Sequence, residues 1–278
     1  MRIDAHQHFW LFNENKDSWI TPTMHKIKRN FLPNDISQTL KEQNFDGVIA
    51  VQADQSTRET DFLLELSSVY ALIKGIVGWV DLRSPVVDEH LENYAKFPVI
   101  KGFRHIVEAE SNADFLHTDE FLRGISQLTK RNFTYDLLIN SNQFESAIKC
   151  VSFNTKQKFV LDHMAKPQIG GLKEQEEQWK KFIEELAAFP NVYCKISGLT
   201  TLSDWGEWKA TDFRSYILHV IRCFGINRII FGSDWPVCLL AGSFTDSEKI
   251  IQDNFLNLTE NELKGFWGKN AKSFYNLS

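Results

Sequence analysis

A single-domain (β/α)8 barrel over residues 1–278 is the fold that the sequence predicts, and three observations predict it. Eight short apolar, β-branched runs recur at 3–5, 47–52, 74–80, 98–103, 133–139, 158–163, 192–197 and 228–233, with segments of helical period between them. The runs are apolar almost throughout rather than alternating, as expected of parallel strands covered on both faces. The length suits a barrel of this type with a short tail. A doubly wound open sheet is the competing architecture, but the first strand ends in HQHFW, with no GxGxxG phosphate turn after it.

Taken in chain order, the first strand, IDA, leads into a long irregular stretch at about residues 9–32, placed to lie over a barrel mouth. LPNDISQTLKEQ then reads as a helix with Asn34 or Asp35 as N-cap. STRETDFLLELSSVYALI reads as a helix capped by Ser56 or Thr57, and TDEFLRGISQLTKR as one capped by Thr118 or Asp119. In KEQEEQWKKFIEELAAF, Trp179, Phe182, Ile183, Leu186 and Ala187 follow amphipathic helix spacing. In RSYILHVIRCFG, Tyr216, Ile217, Val220, Ile221 and Phe224 do the same before Gly225 stops the helix. No internal repeat, low-complexity tract or linker interrupts this order.

The net charge of −5 and scattered lysines and arginines leave no basic surplus for a phosphate backbone, so nucleic acid is not an expected partner. No apolar run is long enough to span a membrane and none precedes the first strand as a signal sequence, so the expected compartment is the cytosol. Cys150, Cys194, Cys223 and Cys238 form no CxxC pair and read as buried thiols. An oligomer is allowed, and nothing in the sequence selects one.

Chemically able side chains concentrate at the strand ends. His6 and His8 end the first strand on one face, Gln52 the second, Trp79 and Asp81 the third, and Arg104 and His105 the fourth. Asp162 and His163 end the sixth, with Lys166 just beyond, and Ser233, Asp234 and Trp235 end the eighth. Singly, each has a plainer reading, such as Asp234 capping a following helical segment or Arg104 in a structural ion pair. In a barrel, however, all these ends converge on one face, which makes a shared site the better reading.

The stretches IDAHQHFW, GVIAVQAD, IVGWVDL, VIKGFRHI, FVLDHMAKP, VYCKISGL and IIFGSDWPV resemble the amidohydrolase superfamily, over residues 3–237. Within it they resemble the branch of sugar-lactone and related lactone hydrolases that includes L-fuconolactonase, L-rhamnono-lactonase and the pyrone dicarboxylate lactonase. The resemblance implies a (β/α)8 fold, a hydrolytic reaction and functional positions in the HQH, DH and SDW motifs. Hydrolysing a lactone needs an activated water, a proton acceptor and a donor for the developing oxyanion. Asp234 is the candidate base, and the resemblance assigns it the same role. Two versions of carbonyl polarisation stay open. In one, His6, His8 and Asp234 hold a single divalent ion, zinc first; the resemblance implies that activity can do without it. In the other, His6, His8, His163 and Arg104 donate directly to the substrate.

The two-metal arrangement of the superfamily is not expected. The fourth strand offers only Lys101, of opposite parity to Arg104, and the fifth strand has no histidine. A bulge could present His105 in place of Arg104. Gln52, Trp79, His105, Asp136, Lys166 and Trp235 are candidate substrate contacts, although AKP lacks the glycine expected before Lys166. The alternatives are a zinc-dependent decarboxylase of an aromatic acid on the same barrel and a non-catalytic sugar-binding barrel.

Overall fold

Eight strands pair in parallel in chain order: β1 (Ile3–Gln7), β2 (Gly47–Val51), β3 (Ile73–Gly78), β4 (Ile100–Ile106), β5 (Thr134–Leu138), β6 (Phe159–Leu161), β7 (Val192–Ile196) and β8 (Ile229–Phe231). The structure is a computed structural model and describes residues 1–255 and 258–278. After the strands come, in turn, α1 (Pro33–Glu42), α2 (Thr57–Val69), α3 (Val87–Tyr94), α4 (Asp119–Lys130), α5 (Phe144–Phe153), α6 (Lys173–Ala187), α7 (Arg214–Phe224) and α8 (Phe244–Asn254). Two short helices, α9 (Glu260–Lys264) and α10 (Asn270–Phe274), finish the chain. The expected (β/α)8 barrel is the observed one. Among the described residues no helix is long and apolar enough to cross a membrane.

Local chemistry accounts for the helix ends. Ser56 caps α2 by accepting the Glu59 amide at 3.3 Å, and Gly225, at φ 72°, stops α7. α1 begins earlier than its expected Asn34 or Asp35 cap. Pro33 takes the first helical position, where its missing N–H costs nothing, and Asp35 accepts the Leu32 amide at 2.8 Å from one turn inside. β6 also ends earlier than its apolar run suggested, because the chain turns left-handed from His163 onward.

The barrel end remote from the helix-preceding loops is filled by the chain's own C-terminus. Ala271, Phe274, Tyr275 and Leu277 pack with Ile3, Ala5, Ile49, Val51, Val77, Val160 and Ile230 in one buried cluster. Lys101 Nζ donates to the Asn276 carbonyl at 3.0 Å beside the start of β4.

The seam between β1 and β8 is closed by one side chain together with backbone bonds. The register of β1 shifts between Asp4 and Gln7, and across that irregularity Gln7 Nε2 donates to Asp4 Oδ2 at 2.7 Å. Asp4, wholly buried, also accepts the Ser233 amide at 2.8 Å, the Ser233 hydroxyl at 2.5 Å and the His6 amide at 3.1 Å. Two backbone bonds complete the closure, Asp234 N to His6 O at 2.9 Å and His8 N to Trp235 O at 2.8 Å. Burial pushes the Asp4 carboxyl up to about 6 against these four donors. Asp4→Ala would leave four buried donors, the His6 and Ser233 amides, the Gln7 side-chain amide and the Ser233 hydroxyl, without this acceptor, each unsatisfied group costing about 1–3 kcal/mol. The urea midpoint should therefore fall sharply, whereas Asp4→Ser, distant from β8 in reach, should not restore it and Asp4→Asn, which keeps one acceptor oxygen, should restore part.

Candidate active site

A cavity of about 450 Å³ opens at the C-terminal ends of the strands, with His8, Arg104, His163, Lys166 and Asp234 in its wall. Its remaining wall is largely apolar, including Trp10, Trp19, Met24, Leu138, Leu202 and Trp205. The long segment after β1 supplies Trp10, Trp19 and Met24, so it does lie over the mouth.

Asp234 is the centre of the polar floor. Its Oδ1 lies 3.4 Å from His8 Nε2 and 3.7 Å from His6 Nε2. The ligand atoms of His6, His163 and Asp234 all lie within 4.8 Å of one another. Burial pushes the Asp234 carboxyl up, but His163, the His8 contact and His6 outweigh it and hold the group well below the usual carboxylate range. Burial holds His6 and His163 below the ordinary imidazole value, so both are neutral near pH 7. The side chain of Asp234 faces these imidazoles and does not cap the helical turn that follows.

His8 Nδ1 lies 2.8 Å from the Val51 carbonyl, which can only accept, so Nδ1 carries the proton and Nε2 presents a lone pair. His163 Nδ1 is 2.9 Å from Ser197 Oγ. Arg104 is clamped from the ends of two strands: Nη1 donates to Asp162 Oδ2 at 3.0 Å, and Nη2 donates to the Gln52 carbonyl at 2.6 Å and to Gln52 Oε1 at 3.2 Å. Its remaining contact is His6 Nε2, 3.2 Å from Nη1.

Backbone strain gathers here. His163, Met164, Ala165 and Lys166 form one left-handed turn with φ between 51° and 58°, and Asp234 has φ 61°. Each non-glycine residue in this region costs roughly 1 kcal/mol or more. Trp179 Nε1 ties the turn down through the Met164 carbonyl at 2.6 Å. The left-handed path is what turns His163 and Lys166 over the cavity directly after so short a strand.

Most of the other sequence-predicted residues lie behind or below the cavity wall. Gln52 is buried against Arg104. His105 points out of the barrel, accepting from Trp79 Nε1 at 3.2 Å through Nδ1, donating to Glu110 at 2.7 Å and stacking on Phe115. The parity of β4 thus presents Arg104 inward, and Trp79 goes outward with His105. Asp136 is buried deep in the interior, accepting from Lys195 at 2.6 Å and from the Tyr275 hydroxyl at 2.8 Å, and burial pushes it up to about 6. Trp235 packs under the entrance segment against Phe9 and Phe31. Lys166 alone of this group lines the cavity, and there it pairs with Glu108 at 2.6 Å.

Sequence reasoning missed Lys195, whose ammonium is wholly buried between Asp136, Asp162 and His6. Its signal was a lysine inside the otherwise apolar run VYCKIS. Asp4 left a similar signal in IDA. Glu108, Trp19 and Trp205 left none, because loop conformation places them.

A family model described as Amidohydrolase matches residues 3–277. The chain belongs to the amidohydrolase family. This amidohydrolase is 34% identical to an L-fucono-1,5-lactonase of Burkholderia multivorans, over 100% of this chain and 96% of the relative. It is 24% identical to an L-rhamnono-gamma-lactonase of Scheffersomyces stipitis, over 74% of this chain and 70% of that one. Among solved structures, a zinc-bound amidohydrolase from Burkholderia multivorans superposes with a TM-score of 0.96 at 34% identity, covering 100% of both chains. A 5-carboxyvanillate decarboxylase from Novosphingobium aromaticivorans, at 11% identity and a TM-score of 0.72 over 100% of this chain and 96% of that one, shares the fold.

Gly198 bears directly on the site. A Cβ there would lie 2.7 Å from His163 Nδ1 and 3.2 Å from Asp234 Oδ2, at a residue with φ 64°. Gly198→Ala should therefore displace the His163 ring and lower stability by about 1 kcal/mol or more. Its effect on kcat/KM should far exceed its effect on Tm, and wild-type kcat/KM would overturn this reading.

Proposed function

We propose that this protein hydrolyses a sugar lactone, an aldonolactone of the L-fucono or L-rhamnono kind, to the open acid, with Asp234 as general base. Near-complete coverage at 34% identity with an L-fucono-1,5-lactonase carries the substrate class. The geometry that supports the chemistry is one ionised, buried carboxylate among three imidazoles at the floor of a cavity.

In this mechanism a water beside Asp234 attacks the lactone carbonyl carbon while Asp234 takes its proton. Arg104, held rigidly by Gln52 and Asp162, and an N–H of the histidine cluster stabilise the negative charge that develops on the carbonyl oxygen. Collapse breaks the bond to the ring oxygen, which leaves as an alkoxide and takes the proton back from Asp234. A carboxyl held below its ordinary range is a weak base but a strong acid, which suits it to the second transfer. An ester-type carbonyl is reactive enough to tolerate the weak base. The aromatic wall of Trp10, Trp19 and Trp205 offers the sugar's apolar face a surface, and Lys166 and Glu108 offer its hydroxyls partners.

The donor set also fits a single divalent ion, zinc first. His6, His163 and Asp234, whose ligand atoms gather within 4.8 Å of one another, would hold it, and when bound it would polarise the carbonyl. The steps above do not require it. Gln52 and Asp136 act through Arg104 and Lys195 rather than by touching substrate.

Asp234→Asn should lower turnover by about 10² to 10⁴ while leaving the circular dichroism spectrum unchanged. Residual activity within tenfold of wild type would remove Asp234 from the mechanism. A pH-indicator assay over a panel of aldono-1,4- and 1,5-lactones should detect acid release that survives chelator treatment, and a silent panel would overturn the lactone reading. With Asp234 below the ordinary carboxylate value of 3.8, its own protonation should contribute no acid limb to kcat/KM above about pH 4. A limb centred near pH 6 would assign the base to another group.

A further inference from the structure

The largely apolar cavity wall raises the matter of selectivity. Trp10, Trp19, Met24, Leu138, Leu202 and Trp205 would receive an alkyl-substituted lactone at least as well as a sugar, so recognition of hydroxyls falls to the polar side chains among them. Several of those are engaged with the protein itself. On the floor, Arg104 is held by Asp162 and Gln52, and at the rim Lys166 and Glu108 pair with each other. Thr201 donates its hydroxyl to the Gly198 carbonyl at 2.9 Å. Gln55 stands in the same wall, half-buried, and its hydrogen bonding is different.

The stretch ADQST fixes this glutamine on both sides. Ser56, the cap of α2, donates its hydroxyl to Asp54 Oδ2 at 2.6 Å, and Glu59 reaches back from the first turn of the helix to accept the Ala53 amide at 3.0 Å. The loop is thereby tied to the start of α2 before and after Gln55. Its side chain is oriented as well. β3 pairs with β4 only as far as Phe103, and beyond that point the Ile106 amide donates to Gln55 Oε1 at 2.9 Å. A backbone N–H only donates, so the oxygen of the side-chain amide is the atom turned to Ile106. Nε2 makes no hydrogen bond among the described residues and is not sealed in the interior, so its two N–H groups are open to a molecule in the cavity. Gln52 is the contrast. Its amide nitrogen donates to the Arg104 carbonyl at 3.2 Å and its oxygen accepts from the Arg104 guanidinium, so both ends are taken by the protein.

An amide donor fixed in this way discriminates. A hydroxyl placed against it replaces the water that it gives up, whereas a methylene at the same place removes that water and returns no hydrogen bond. We infer that Gln55 is a specificity-determining residue, which donates to a ring hydroxyl of the bound lactone and so selects polyhydroxylated lactones against alkyl lactones of the same ring. The inference rests on the lactone reading above and adds to it the group that rejects the alkyl analogue.

The test uses the full chain and a matched pair of substrates. One is whichever of L-fucono- and L-rhamnono-1,5-lactone is hydrolysed faster; the other is δ-hexalactone, which has the same ring and methyl group and none of the ring hydroxyls. Each kcat/KM is divided by the rate of spontaneous hydrolysis. Wild type should favour the sugar lactone by more than about tenfold. In Gln55→Met, which keeps the length of the side chain and removes the amide, that preference should fall by about tenfold or more, with the loss on the sugar lactone. Where δ-hexalactone is not turned over, its inhibition constant stands in for its kcat/KM and should be the same in the variant as in wild type. Equal losses on both lactones would make Gln55 a support for Ile106 alone and overturn the inference, as would an unchanged preference. A wild type without the preference overturns it before any variant is made. If wild type hydrolyses none of the three lactones, the lactone reading fails and the inference falls with it, whereas an active wild type puts only the role of Gln55 at stake.

Discussion

An ammonium group stands in the middle of the barrel with no exposure to solvent, and the surrounding strands are arranged around neutralising it. Moving such an ion out of water costs several kcal/mol, and only close, well-oriented counter-charges offset that. β5 supplies Asp136, the end of β6 supplies Asp162, and the C-terminal segment supplies the Tyr275 hydroxyl that completes Asp136. Asp162 then anchors Arg104, and Gln52 holds the guanidinium from the other side. The cavity floor is thus the upper layer of an ionic core whose lower layer does not line the cavity. Burial pushes Asp162 upward, but Lys195, His6 and Arg104 together hold it well below its ordinary value.

That layering explains why so few predicted contacts touch the cavity. A barrel interior is filled by side chains, so a polar residue one strand repeat below the rim supports the layer above it rather than the ligand. Gln52 and Asp136 are of this kind. Residues of the other parity, such as Trp79 and His105, face the helices. Much of the cavity's upper wall comes instead from the loops, as the entrance segment with Trp10 and Trp19 and the rim pair Lys166 and Glu108 illustrate.

The strain at the site has a consistent place in this scheme. The left-handed turn at 163–166 and the left-handed Asp234 bring His163 and Asp234 together beside His6, and the surrounding packing keeps them there. Asp4 fixes the opposite side by joining β1 to Ser233, so that His6 and Asp234 come from two strands locked at the seam.

The barrel was legible in the sequence because apolar runs eight times repeated, with helical spacing between, admit few ways of burying both faces of every strand. Much of the cavity floor was legible for a related reason: His6, His8, Arg104, His163 and Asp234 stand at strand ends, and closure of a barrel brings strand ends together whatever the loops do. Strand parity past a bulge, the left-handed course after β6 and the paths of the loops were not legible, since each depends on contacts between residues far apart in the chain. Nor was the place of Lys195 legible: in sequence it is one cation in an apolar strand, and only the tertiary structure supplies the two carboxylates and the imidazole that surround it.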